Sequence, residues 1–143
     1  MKLSTKSRYG TRMLLDMAEL RHQGPVHLTQ IAQRQGISVK YLEQILIPLK
    51  KAGYVGSVRG PKGGHFLARD PEEITVGEIV ALLEEGASLT ECAEKPEVCG
   101  RSQICLTRLI WKEAADALYD KLASFTLADL LKRGRGQVQE QGA

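Results

Sequence analysis

Residues 29–68 carry the punctuation of two helices followed by a hairpin, and the rest of the chain has to fold around that unit. Thr29 is placed to cap a short helix with Ile31 and Ala32 turned inward, and Gly36 supplies the left-handed residue that ends it. Ser38 then caps a second helix. On it Val39, Leu42, Ile45, Leu46 and Leu49 fall at helical spacing and leave Lys40, Glu43, Gln44 and Lys50 facing outward. Small Ala32, Gly36 four positions on, and apolar Ile37, Leu42 and Ile45 to close the wedge make a helix-turn-helix pattern. Pro48 is expected to end or kink the second helix about one turn before Ala52.

Strand-forming residues at 54–58 and 65–68 flank R-G-P-K-G-G, which reads as a hairpin loop with Arg59 and Lys62 on its flank and tip. A basic hairpin directly after such a helix is the wing of a winged helix. The helix suits the major groove of duplex DNA, and Arg59 suits the strong negative potential of the minor groove. Ser38, Lys40, Tyr41, Glu43 and Gln44 on the helix and Arg59 and Lys62 on the wing are therefore the candidate DNA contacts.

Charge supports this reading once the chain is divided. Residues 1–70 hold 12 Lys and Arg against 4 Asp and Glu, a balance of +8, whereas residues 71–143 hold 8 against 13, a balance of −5. The first part is built to meet a polyanion. The basic start precedes no unbroken apolar run and no stretch has the length of a membrane span, so a cytoplasmic protein without a membrane partner is expected. His22, His27 and His65 are isolated, and no paired carboxylates, nucleophile with a base, or phosphate loop is found, which argues against an enzyme.

Before the helix-turn-helix, Leu3, Tyr9, Met13, Leu14, Met17 and Leu20 predict a long amphipathic helix from Ser4 to about Gln23, with Lys6, Arg8 and Arg12 on its polar side and G-P as its stop. After the wing, T-V-G-E at Thr75 is a capping box that opens a short helix. A loop from Gly86 to Ile104 follows. Leu106, Leu109, Ile110, Ala114, Ala117, Leu118, Leu122 and Phe125 then form a stripe several turns long, with Trp111 beside it. Such a helix is expected to pair with its copy in a second subunit, giving a homodimer for a near-palindromic operator; folding back on its own domain is the rival. T-L-A-D caps a last short helix, and R-G-R-G-Q onward reads as a disordered tail. The expected architecture is mainly α with a small β-hairpin wing. Residues 1–70 form the winged helix-turn-helix, 71–104 a connecting helix and cysteine loop, 105–131 a dimerisation helix and short C-terminal helix, and 132–143 the tail.

All three cysteines lie in the loop, as Cys92-x6-Cys99-x5-Cys105. An odd number argues against a disulfide framework. Soft thiolates, with Cys105 at a helix N-terminus, suit zinc or an iron–sulfur cluster, and the spacing does not choose between them. It lacks the tight pairs of most structural zinc sites. Three unligated thiols in a mobile loop stand as the alternative.

Y-L-E-Q-I-L, L-K-K-A-G-Y-V and S-V-R-G-P-K-G-G-H-F-L-A-R, together with the opening M-K-L-S-T-K-S-R-Y-G, resemble the Rrf2 family of bacterial transcriptional regulators, from Met1 to about Leu131. His65 stands where an aromatic Tyr is common. The resemblance implies that Glu43 and Arg59 contact DNA bases or grooves. It also implies that Cys92, Cys99 and Cys105 hold a [2Fe-2S] or [4Fe-4S] cluster that senses cluster supply, redox state or nitric oxide. The cluster-supply branch has a histidine three residues past the last cysteine, where this chain has Arg108; the nitric-oxide branch can use an acidic residue near the start of the first helix, where this chain offers Arg8. A guanidinium stays protonated and cannot ligate. The fourth ligand is thus unassigned, with Glu91, Glu94 and Glu97 as neighbours in sequence. Zinc or thiol oxidation in a cluster-free regulator, or an iron–sulfur protein whose winged helix docks another protein, are the alternatives.

Overall fold

A computed structural model describes residues 2–86 and 88–141 of the chain. The first helix, α1 (Thr5–Glu19), begins where Ser4 Oγ accepts from the Ser7 backbone N–H at 3.1 Å, and it buries Met13, Leu14 and Met17. A single 3-10 turn (Arg21–Gln23) leads to α2 (Leu28–Gln35) and then to α3 (Val39–Lys51). Helix α2 starts two residues earlier than a cap at Thr29 allows. His27 is its cap residue, because the Gln30 side chain accepts from the His27 N–H at 3.2 Å and Leu28 gains a place in the core. Gly36 ends α2 with φ of 66°, a left-handed conformation that costs glycine least.

The α3 stripe is buried as its spacing requires, with Leu42, Ile45, Leu46 and Leu49 inside and Val39 half-buried against them. Pro48 does not end the helix. The Ala52 N–H reaches the Pro48 carbonyl at 3.0 Å, and the stripe buried on both sides of the proline holds the helix through Lys51. One bond to the Gln44 carbonyl is lost, on an exposed residue.

The wing is antiparallel, β1 (Val55–Val58) with β2 (Gly64–Leu67), in a register that runs from Val55 opposite Leu67 to Val58 opposite Gly64. Val26 adds a bridge on the outer side of β2, exchanging 2.8 Å bonds with His65 in both directions. The wing is thereby anchored to the segment before α2.

Helix α4 (Val76–Leu83) carries the expected cap, Thr75 Oγ1 accepting from the Glu78 N–H at 3.2 Å. The loop expected from Gly86 to Ile104 contains α5 (Glu91–Glu94) and a 3-10 turn (Pro96–Val98). Helix α6 (Leu106–Ala123) meets α4 at Gly77, where an added Cβ would lie 2.7 Å from the Ala123 nitrogen. The Ile74 and Thr75 backbone pairs with the α6–α7 junction through Val76 to Phe125 at 2.8 Å and Leu127 to Ile74 at 2.9 Å. The C-terminal part of α6 therefore does fold onto its own domain, with Ala115 and Leu127 buried. Its N-terminal part does not: Leu106 is 79%, Leu109 52% and Ile110 56% exposed.

The disordered tail is overturned for the described residues, because α7 (Leu127–Gln141) continues through them; residues 142–143 lie outside that description. Gly134 and Gly136 each cost a helix about 1 kcal/mol. Nucleation is already supplied by buried Leu127 and by the reciprocal Thr126–Asp129 cap, both bonds at 3.0 Å, after which each residue adds a hydrogen bond. The fold is mainly helical with a two-stranded wing, as expected.

Candidate nucleic-acid interface and cysteine segment

Burial of the α3 stripe leaves its opposite edge to solvent. Ser38, Lys40, Glu43 and Gln44 are exposed along the first two turns, and Tyr41 is half-buried. Ser38 Oγ accepts from the Tyr41 N–H at 3.2 Å, which fixes where α3 begins. Arg59 and Lys62 are both exposed on the wing loop. None of Lys40, Glu43, Arg59 and Lys62 forms an ion pair with another described residue, so their charges are available to a partner.

Two supports of this edge were not visible in the sequence. Tyr9 on α1 meets Tyr41 edge to face, ring centroids 5.9 Å apart, and the Arg8 and Arg12 guanidinium carbons lie 5.8 and 5.4 Å from the Tyr9 centroid. Arg12 also bonds the Gln35 side chain at 3.0 Å and the Gln35 carbonyl at 2.5 Å, and Lys6 sits 3.7 Å from Glu85, so Arg8 is the freest cation of α1. The second support is Asp16. Its carboxylate, 4% exposed, accepts from Arg34 at 2.6 and 3.0 Å and from Gln35 at 3.0 Å, clamping the end of α2 to α1. Polar residues recurring on α1 signalled a solvent face, and nothing in their spacing named these partners.

Arg69 steadies the wing base, its guanidinium 4.3 Å from the Tyr54 ring and 3.2 Å from the Ala52 carbonyl. His65 on β2 is half-buried, and burial first, then Lys50 and His27, pushes its pKa below the ordinary value. It is neutral near pH 7 and adds no charge to this face.

The three cysteines are free and half-buried, Cys92 on α5, Cys99 at the end of the 3-10 turn and Cys105 as the cap residue of α6. Their thiols are brought into one short segment. They are not brought to one point: among the described residues no three Cys, His, Asp or Glu side chains form a group that could hold a metal ion. The donor chemistry nevertheless fits a soft metal or cluster. A hydrogen bond from the Thr107 hydroxyl, 3.3 Å away, and then the Arg108 backbone N–H hold the Cys105 thiol below its usual pKa and favour the thiolate that ligates. Arg108 points elsewhere, donating from Nε to the Cys92 carbonyl at 2.7 Å. Glu91, Glu94 and Glu97 are exposed.

The sequence profile of Rrf2, described as an iron-dependent transcriptional regulator, matches residues 3–133. Protein rrf2 of Nitratidesulfovibrio vulgaris (strain Hildenborough) is 55% identical over 132 residues, covering 92% of this chain and 88% of that one. The structure of T. potens IscR superposes with a TM-score of 0.77 at 40% identity, over 94% of this chain and 88% of the other. CymR, the global cysteine regulator of B. subtilis, superposes with a TM-score of 0.76 at 38% identity, over 93% and 98%. No helix among the described residues is long and apolar enough to cross a membrane.

Proposed function

The chain belongs to the Rrf2 family of transcriptional regulators, and from that premise we propose that it acts as a homodimer on a near-palindromic operator in double-stranded DNA, with its affinity switched by an iron–sulfur cluster. The observation that carries the DNA reading is the unpaired polar edge of α3 beside a wing bearing two free cations. Glu43 and Gln44 read base edges, since a carboxylate accepts from cytosine and a carboxamide pairs with adenine. Lys40, Lys62, Ser38 and Tyr41 meet phosphates and set position, and Arg59 enters the minor groove. The exposed Leu106, Leu109 and Ile110 face of α6 pairs with its copy, which spaces two α3 helices for half-sites about one helical turn apart.

Cys92, Cys99 and Cys105 would hold the cluster, which when bound supplies a redox-active centre. The residues of this chain do the rest. Thr107 and the Arg108 amide favour the Cys105 thiolate, and α6 carries the segment's position to the dimer face. Binding of DNA and occupancy of the thiols then influence each other by the same factor.

A second reading, thiol oxidation without a cluster, is favoured by the scattered thiols, the Cys105 pKa held below its ordinary value and the likeness to a cysteine regulator. Fluorescence anisotropy with promoter DNA tests the first part: log affinity must fall steeply with log salt. Anaerobic purification followed by iron, sulfide and zinc analysis tests the second. Colourless protein with stoichiometric zinc, or with reversible oxidation and no iron, removes the cluster.

A further inference from the structure

Helix α5 has four residues, too few to persist without tertiary support. Ala93 of α5 and Ala115 of α6 are buried, beside an open groove of about 160 Å³ lined also by Ser88, Glu94, Lys112 and Asp116. Among the described residues, one hydrogen bond joins α5 to α6, from Arg108 Nε to the Cys92 carbonyl. Arg108 lies in the first turn of α6, three residues past Cys105, the cap residue of that helix. Arg108 thus ties the main chain of Cys92, 16 positions back in sequence, to the helix that Cys105 opens.

We propose that Arg108 is the positioning residue of the cysteine segment, its guanidinium holding Cys92 in register with Cys105 for the cluster. The proposal deepens the cluster reading and rests on it for the ligand, but the tie itself is a property of the metal-free chain. A guanidinium suits this task because its Nε–H is held in a rigid plane and aimed along the helix edge. Without the tie, the four-residue α5 keeps only its Ala93 contact with α6, and Cys92 departs from its place relative to that helix.

The test uses the full-length protein, reduced and metal-free, as wild type, Arg108→Met and Arg108→Lys. Alkylation by iodoacetamide at fixed pH is followed for each cysteine by mass spectrometry. In Arg108→Met the Cys92 rate should rise about fivefold, the scale of one hydrogen bond's net contribution, while Cys99 in the same chain stays at its wild-type rate. Arg108→Lys, with a donor of similar reach, should recover most of the protection. After anaerobic reconstitution with iron and sulfide, Arg108→Met should lose iron to a chelator about tenfold faster, as expected when a ligand's support is removed. Unchanged Cys92 reactivity, or equal acceleration of all three cysteines, overturns the proposal. If the wild type takes up no iron and sulfide but Cys92 is selectively exposed in Arg108→Met, the cluster reading falls and the positioning role stands.

Discussion

Glu84 closes the N-terminus of α1 from 80 residues away, and its neutralisation has a calculable effect. One carboxylate oxygen accepts from the Ser4 backbone N–H at 2.8 Å and from the Ser7 hydroxyl at 2.5 Å. Glu84→Gln keeps an acceptor in place and removes the charge. Hydrogen bonds to charged groups contribute about 1.5–3 kcal/mol against about 1 for neutral ones, so two bonds lose together about 1–4 kcal/mol, nearer the lower end for a carboxylate that is only partly buried, and the α1 dipole adds a few tenths. Partial burial works against the carboxylate, but the bonds from Ser7 and Ser4 outweigh it and set its pKa below the ordinary value. A depressed folded-state pKa contributes stability that is present above the unfolded value and lost as pH falls through the folded one. The wild-type advantage should therefore be complete at pH 7 and should shrink below the usual carboxylate range, near pH 4, until the two proteins coincide. Urea unfolding followed by circular dichroism, at one protein concentration because the proposed subunit association would shift the transition, reads this directly. Equal midpoints at pH 7, or an offset that persists at low pH, would refute the reasoning.

Glu43→Ala should relax base choice at one operator position by about 1–3 kcal/mol, measured by anisotropy over operator variants; equal weakening on every sequence would show that Glu43 reads nothing. Arg59→Ala should instead weaken all duplexes alike and reduce the salt slope by about one, a result checked by titration at several ionic strengths. Asp16→Ala removes three hydrogen bonds from a nearly inaccessible carboxylate and should cost about 2–3 kcal/mol in urea unfolding, with half-exposed Arg34 limiting the loss. Ile110→Glu places a charge in the exposed α6 stripe, and sedimentation should report a monomer; a dimer of unchanged strength would move the interface elsewhere.

The features legible beforehand were those with a local period or a fixed dihedral requirement. Leu42, Ile45 and Leu49 show α3 because burial selects one face in 3.6 residues, and Gly36 shows its turn because few other residues accept φ of 66°. The candidate contacts Lys40, Glu43 and Gln44 followed as the complement of that stripe. Features made by distant pairs were illegible. Asp16 with Arg34, Glu84 with Ser4 and Val26 with His65 leave no mark in spacing. At Pro48 and the α7 glycines intrinsic propensity is overridden, by burial on both sides of the proline and by a strong cap before the glycines. The cysteine segment lies between these cases. Its membership could be read from composition, while its arrangement depends on α5, the 3-10 turn and Arg108, none of which carries a period.

The residues from Glu84 to Gly86 join the α1 side of the domain to α6. On one side Glu84 and Glu85 hold Ser4, Ser7 and Lys6 of α1; on the other the Tyr119 hydroxyl of α6 donates to the Gly86 carbonyl at 3.1 Å. Glu85 adopts φ of 59°, a left-handed conformation uncommon for a residue with a side chain, so the surrounding contacts hold this corner against its own preference. From α1 the contact continues through Tyr9 to Tyr41 on α3. A ligand at the thiols changes DNA affinity only as far as it favours one placement of this corner over another, because equal affinity for both placements shifts nothing. On the proposed reading, the coupling would therefore be set not by how tightly the cysteines bind but by the difference in that binding between the two placements, carried through Glu84, Tyr119 and Tyr9.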